Sequence, residues 1–577
     1  MENPATGGRH RRPEPDDLDT ADTLVTAAPW APPAQRTAPA PYPAPAIDPL
    51  DASPLDQTVE MAGLPDLIAQ DAPRGAGTPG SPPDEPPAAP APTDGEDESS
   101  GLGRKASKAL GWSLASTILG RVGRIAFGIW IARLLGPDEF GVYALALVFQ
   151  LAILSFNELG VSLAIVRWPG HPREIAPTVA TISVLSSVII YIGCFFATPF
   201  IASAMGAPGA TPVIRVLTLS VIISGLVAVP VALLQRGFRQ DKRTVADLTT
   251  AIVSPLTSIA CAVAGMGAMS LAVGTLAGSV VGAALFIWFA PEGLRFGFDR
   301  AIARKLLTFG LPLAGSSIVV FAAGNIDKMV VGALFGVRSL GIYTNAFNLS
   351  NLPVSIFSTP MRAVAPAAFA RLQHDKPRMN RAFLMSSGLL GAIALPACVL
   401  LATAPYPLIR IVYGTAWEAS ATVLPWLAAL GALRIFFELI YDFFVVLANT
   451  RAVFTIQVVW LIALAPSIWV GSHFFGLPGA AAAQFATGLL VVLPLYLREL
   501  SRAGIRPRSI AGSVAMPIAA GAVVAGLVLL IQVFVTNDWV VLPLVGLVGM
   551  AAMAAVLYRM RATLKSLRST NPESTPA

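Results

Sequence analysis

Charge is scarce in this chain: of 577 residues only 13% are Asp, Glu, Lys or Arg, while 54% are apolar and the mean hydropathy is +0.66. A soluble globule carries about twice that charge, so an ordinary water-exposed domain is excluded. Cysteine is rarer still. Cys194, Cys261 and Cys398 all lie in apolar runs, odd in number and without metal spacing, which excludes a disulfide framework and makes them small packing residues. His10, His171, His374 and His473 stand far apart, so no zinc cluster and no HExxH helix can be assembled. A phosphate-binding GxxxxGK loop is missing, since GLGRKASK from Gly101 has the wrong spacing, and no Ser, His and Asp set stands out. Bond-breaking catalysis, direct use of ATP, a resident cofactor or metal, and nucleic-acid binding are therefore not expected.

The charge that exists is divided. Up to Gly103 there are 18 acids against 5 arginines, a net of −13, whereas the rest carries 35 bases against 16 acids, a net of +19. The first hundred residues also hold 21 prolines. Such a stretch offers little apolar surface to offset the entropy of ordering, so residues 1–105 are expected to form a disordered, acidic tail. Met1 is followed by polar, Pro-rich sequence rather than a short apolar core, and the first membrane helix is expected to act as its own signal.

From Lys108 onward, apolar runs long enough to cross about 30 Å of hydrocarbon follow one another with brief polar breaks. Fourteen are counted, from 110–134 and 140–165 at the start to 510–535 and 539–559 at the end. Alternate loops are basic: one set holds 26 Lys and Arg, the other only Arg133, Arg215, Arg338 and Arg410. Loops rich in Lys and Arg stay in the cytoplasm, so both termini are expected there, in a multi-pass protein of the cytoplasmic membrane.

Between apolar runs one loop is written twice. LLGPDEFGVYALA from Leu134 aligns without a gap on LFGVRSLGIYTNA from Leu334, matching Leu134, Gly136, Gly141, Tyr143 and Ala146 with Leu334, Gly336, Gly341, Tyr343 and Ala346. Six spans lie between the copies, an even number, so both loops face one side and the repeat is parallel. The expectation is an all-α polytopic protein with an N-lobe at 106–300, a C-lobe at 301–500, two further helices at 501–562 and a cytoplasmic tail at 563–577.

Five stretches carry a resemblance: ARLLGPDEFGVYALA from Ala132, NELGVSLAIVR from Asn157, LLTFGLPLAGSSI from Leu306, NIDKMVVGALFGVRSLGIYTNA from Asn325 and PLIRIVYGTAWEASATVLP from Pro407. In this order, over about residues 108–500, the chain resembles the polysaccharide transporter branch of the multidrug, oligosaccharidyl-lipid and polysaccharide exporter superfamily, the Wzx-type or O-antigen flippases. The resemblance implies movement of a lipid-linked oligosaccharide from the inner to the outer leaflet, with the glycosyltransferases and polymerase of the same pathway as candidate partners beside membrane lipids. It also implies that the first two helices of each half surround a central cavity. The Pro-rich tail departs from the family pattern.

The residues themselves supply candidates for that cavity, because an ionisable group at bilayer depth costs a few kcal/mol and needs a partner or water. In the first half Arg121 and Arg124 share a helix face, followed by Gln150, Asn157 and Glu158. The second half offers Asn325, Asp327 and Lys328, then Asn345, Asn348 and Arg362 along one stripe. Arg and Lys suit a diphosphate, and amides suit sugar hydroxyls. Plainer readings stand beside these: snorkelling for the two arginines, a local ion pair for Asp327 and Lys328, interhelical hydrogen bonds for the asparagines. Arg434, Glu438 and Asp442, spaced by four, would neutralise one another on one helix face or serve as secondary coupling groups. Without ATP, the membrane potential or antiport of H+ or Na+ through Asp327, Glu158 or Glu438 would drive transport. Three alternatives remain: a drug exporter of the same fold, a lipid II flippase, and a membrane scaffold acting through the acidic tail.

Overall fold

The computed structural model describes residues 96–157, 165 and 172–568, without the side chains of 96–122, 124, 156–157, 309, 311–313, 316, 319–320, 323, 359–360, 363–364, 450 and 560–568. All regular structure among them is helical. The helices are α1 (Glu96–Asn157), α2 (Pro172–Ala204), α3 (Thr211–Thr218), α4 (Ser220–Arg236), α5 (Gln240–Val263), α6 (Met269–Phe289), α7 (Arg300–Pro353) and α8 (Thr359–Arg371). They continue with α9 (Lys376–Thr403), α10 (Pro405–Val412), α11 (Ser420–Val446), α12 (Thr450–Thr487), α13 (Leu493–Arg502), α14 (Pro507–Phe534) and α15 (Asp538–Arg568). Eleven segments among the described residues are long and apolar enough to cross a membrane. The chain is an all-α, multi-pass membrane protein.

Three of those segments are double. Gly136 (φ 72°, ψ 176°), Gly336 (φ 75°, ψ −178°) and Gly476 (φ 61°) break α1, α7 and α12 into two arms each. Residues with a side chain hardly enter the region occupied by Gly136 and Gly336, so a glycine can reverse the chain where a loop would otherwise be needed. The loops expected around 136, 336 and 476 are thus reduced to single-residue breaks, and the eleven segments divide at them into the spans counted from the sequence.

The same backbone recurs at a second pair of turns. After α4, Gly237 (φ −79°), Phe238 (φ 51°) and Arg239 (φ −87°) end the helix, and after α11 Leu447 (φ −75°), Ala448 (φ 54°) and Asn449 (φ −89°) do so with nearly equal angles. The hydrogen bonds match too: Phe238 N donates to Gln235 O at 3.2 Å as Ala448 N donates to Val445 O at 3.0 Å. Phe238 holds a left-handed conformation unusual for an aromatic residue, in a turn the two halves share.

Contacts sort the loops into two ends. At one end Glu139 accepts from Ala268 N at 2.7 Å, Asp138 pairs with Arg338, and Arg410 bonds Glu418 and reaches Asp538 at 3.5 Å. At the other, Arg173 pairs with Glu292 at 3.0 Å and Arg236 donates to Ile165 O at 2.6 Å. The second end is the one whose loops are basic.

Lipid tails are as apolar as the side chains, so packing rather than the hydrophobic effect joins the helices. Gly274, Gly278 and Gly282 form a stripe on α6 that receives Ser258, Ser254 and Thr250 of α5, and a methyl on Gly278 would stand 2.7 Å from Ser254 Cβ. In the second half Phe369, Phe383 and Phe443 pack ring to ring, with centroids 4.7 to 6.4 Å apart. Helices α14 and α15 dock on α9: Val524, Val528, Val541 and Val545 cluster with Val399, Leu400 and Ala404, and Gln532 donates to Thr403 O at 2.8 Å.

Candidate functional site

A helix rises 1.5 Å per residue, so Asp327 and Lys328 lie about 13 Å along α7 before its break, and Tyr343 and Phe347 about 10 and 16 Å beyond it. Gln484 lies about 12 Å past the break in α12 and Arg434 about 21 Å along α11, so these residues share the middle of a hydrocarbon slab about 30 Å thick.

Two groupings meet there. The Tyr343 hydroxyl donates to Asp327 Oδ2 at 3.0 Å and accepts from Gln484 Nε2 at 2.6 Å, with all three residues buried. One turn further along the same face of this arm, Phe347 is flanked by two cations. Lys328 Nζ lies 4.4 Å and the Arg434 guanidinium carbon 5.5 Å from its ring centroid. Lys328 also donates to Asn325 Oδ1 at 3.2 Å, and Asn325 donates to Phe321 O at 3.1 Å. Neither Lys328 nor Arg434 has an ion pair among the described residues. A ring face attracts a cation but does not neutralise it. Among the described residues, then, no carboxylate lies in ion-pair contact with either cation.

One level nearer the basic end, α7 runs into a π turn at Val354–Ser358 just after Pro353. An extra residue in the turn shifts the face that follows. Ser358 then donates to Glu438, and Arg362 reaches Asp442 with Nε to Oδ2 at 3.2 Å and a second nitrogen to Oδ1 at 3.4 Å. The spacing-by-four expected to join Arg434, Glu438 and Asp442 is resolved across helices instead: the two acids face α8 and the preceding π turn, and the arginine turns to Phe347. An i,i+4 pair is worth only a few tenths of a kcal/mol, so a well-placed partner on a neighbouring helix wins.

The remaining candidates separate. Gln150 donates to Ser220 Oγ at 2.6 Å and is buried, stitching α1 to α4. Asn345 is buried, while Asn348 is exposed on the arm that carries Phe347. The side chains of Arg121, Arg124 and Asn157, and all of Glu158, lie outside the described residues. Tyr343, Phe347, Gln484 and Ser358 escaped the reading of the sequence. A Tyr and a Phe in an apolar run carry no signal of their own, although Tyr343 is one of the identities between the repeats.

The sequence profile described as "Polysaccharide biosynthesis protein" matches residues 130–422, just over half of the chain. The lipopolysaccharide biosynthesis protein WzxC of Escherichia coli (strain K12) is 23% identical over 371 residues, which cover 64% of this chain and 75% of that protein. The succinoglycan biosynthesis transport protein ExoT of Rhizobium meliloti (strain 1021) is 24% identical over 331 residues, covering 55% of this chain and 65% of that one. Among solved structures, the lipid II flippase MurJ in an inward closed conformation superposes with a TM-score of 0.64 at 16% identity, covering 78% of this chain and 99% of that one, a likeness of fold. The profile match over residues 130–422 of this chain, spanning the repeated glycine motif, the Phe347 arm and the first residues of α11, shows that the chain belongs to the polysaccharide biosynthesis protein family.

Proposed function

We propose that this protein is a flippase that carries a lipid-linked oligosaccharide, through its anionic diphosphate, from the inner to the outer leaflet of the cytoplasmic membrane by alternating access between its two halves. Both termini and the basic loops face the cytoplasm in this reading, and the end bearing Gly136 and Gly336 faces outward. The observation that carries it is the pair of cations on Phe347, Lys328 and Arg434, held at mid-depth without a carboxylate partner among the described residues. A diphosphate accepts charge-assisted hydrogen bonds from both, and the exposed amide of Asn348, the residue after Phe347, suits a sugar hydroxyl. An exporter of hydrophobic cations would want the opposite sign. The names of the relatives, in lipopolysaccharide and succinoglycan biosynthesis, agree with a glycan cargo.

Outward movement of a diphosphate is favoured by roughly 2.3 kcal/mol per charge per 100 mV of inside-negative potential. Asp327 and Glu438, each receiving a hydroxyl hydrogen bond, are the carboxylates at which a coupling proton or Na+ would act. The glycosyltransferases that load the lipid and the polymerase that receives it are the corresponding partners. The test is complementation of a strain that lacks the chain. Lys328→Ala with Arg434→Ala is expected to abolish surface glycan while the protein stays in the membrane, and Lys328→Arg to retain it. Normal export by the double variant would refute the reading.

A further inference from the structure

The end of the bundle that carries Gly136 and Gly336 is closed by a contact that repeats itself. Gly141 of α1 and Gly341 of α7 pass backbone to backbone. A methyl on Gly341 would stand 2.9 Å from the amide nitrogen of Gly141 and 3.0 Å from its Cα, and would strike the carbonyl of Pro137; one on Gly141 would strike the carbonyl of Val337. Pro137 and Val337 are equivalent positions of the repeat, as are the two glycines, so the crossing is a self-complementary contact within one chain.

Around the crossing the ties are not symmetric. Trp417, fully buried, donates from Nε1 to Ala132 O at 3.1 Å and lies edge to face with Phe140 at 5.4 Å. Arg133 donates to the carbonyls of Ile411 and Val412, the latter at 2.6 Å. Asp138 and Arg338 pair at the rim, both more than half exposed, and an exposed pair adds little. Trp417, Arg133 and the backbone contact therefore hold the closure. Two details suit a surface made to separate. Crossing glycines interlock no side chains, so only the surrounding ties of Trp417, Arg133 and the Asp138–Arg338 rim have to be released before they part. Three residues on from Gly341 in the same arm, Thr344 buries a hydroxyl with no hydrogen-bond partner among the described residues, an atom that water entering an opened seam would satisfy.

We infer that the Gly141–Gly341 crossing is the outer gate, latched by Trp417 against Ala132 and Phe140, and that it must part for the glycan to leave; this rests on the transport reading above. In a chain with Cys194, Cys261 and Cys398 replaced by alanine, Asp138→Cys together with Arg338→Cys is expected to be bridged by a short bifunctional methanethiosulfonate, which spans the gap that the Arg338 side chain now fills. Surface export should stop with cross-linking and return with dithiothreitol. Undiminished export by fully cross-linked protein overturns the gate, as does a pair that reacts with maleimide but never cross-links. A second measurement is independent of the cargo. Thr344→Cys is expected to react with a membrane-impermeant maleimide from outside about tenfold faster when Gly341→Ala is also present, because the added methyl disfavours the closed seam. An equal rate overturns the gate. Faster labelling in a chain on which no glycan export depends would leave the gate standing and remove the transport reading alone.

Discussion

Asp138 and Arg338, separated by 200 residues, occupy the same position in the two copies of the repeat and pair with each other. Opposite charges at equivalent places are brought face to face when two copies meet about a local twofold axis. The pair is exposed at both partners, so its contribution is about 0 to 1 kcal/mol and falls with salt. Arg338→Ala is accordingly expected to leave the thermal midpoint in detergent almost unchanged. A large drop would mean that the pair does more than decorate the rim.

The glycine breaks should be far less tolerant. Gly136 and Gly336 hold backbone angles that cost residues with a side chain about 1 to 3 kcal/mol. Gly136→Ala and Gly336→Ala are each expected to lower the thermal midpoint, although neither site has an atom within 4 Å of the added methyl. Gly128→Ala, also in open space but inside a regular helix, is the comparator and should be neutral or stabilising, since helices favour Ala over Gly. Equal behaviour of the three would show that backbone strain does not matter at the breaks.

Tyr343 links three buried residues on two helices. Tyr343→Phe removes the donor to Asp327 and the acceptor of Gln484, leaving both without that partner at a cost of about 1 to 3 kcal/mol each in an apolar setting. A clear loss of thermal stability is expected. Adding Gln484→Leu should recover part of it, because the stranded amide is then gone. Thermal unfolding of the single and double variants in detergent measures the coupling directly.

Arg362 and Asp442 form a partly buried ion pair between α8 and α11, with side chains 27% and 7% exposed. Removing one partner leaves the other charge in a poorly solvated place, whereas removing both does not. Arg362→Met is expected to destabilise more than Arg362→Met with Asp442→Leu. The order of the two thermal midpoints is the readout, and the reverse order would contradict the pairing.

Which of these features could be read from the residues follows from the range over which each is determined. A membrane span is a local property: about 20 apolar residues in a row suffice, and eleven apolar segments stand where spans were expected, three of them joining two expected spans across a glycine break. Positions 136 and 336 were legible because the motif is written twice and only glycine fits there. Contacts between helices were not. Asp327 meets Tyr343 because α7 folds back at Gly336, and Gln484 joins them from 141 residues away. Gln150 shares a stripe with polar neighbours yet points to Ser220, since helical periodicity gives a direction but not the helix that lies there. The opposite signs of Asp138 and Arg338 were a usable clue, visible once the two copies were aligned.

Helices α14 and α15 touch the bundle through α9, by the valine cluster around Leu400 and the Gln532 bond to Thr403, and α15 also through α10, by Arg410 and Asp538. Every one of these contacts is with the second half, so a rigid-body tilt of that half would carry α14 and α15 along. A fluorophore attached behind α15 would thus report the tilt of one half against a dye on the α5–α6 hairpin of the other, which turns a peripheral appendage into a handle for timing each transport cycle.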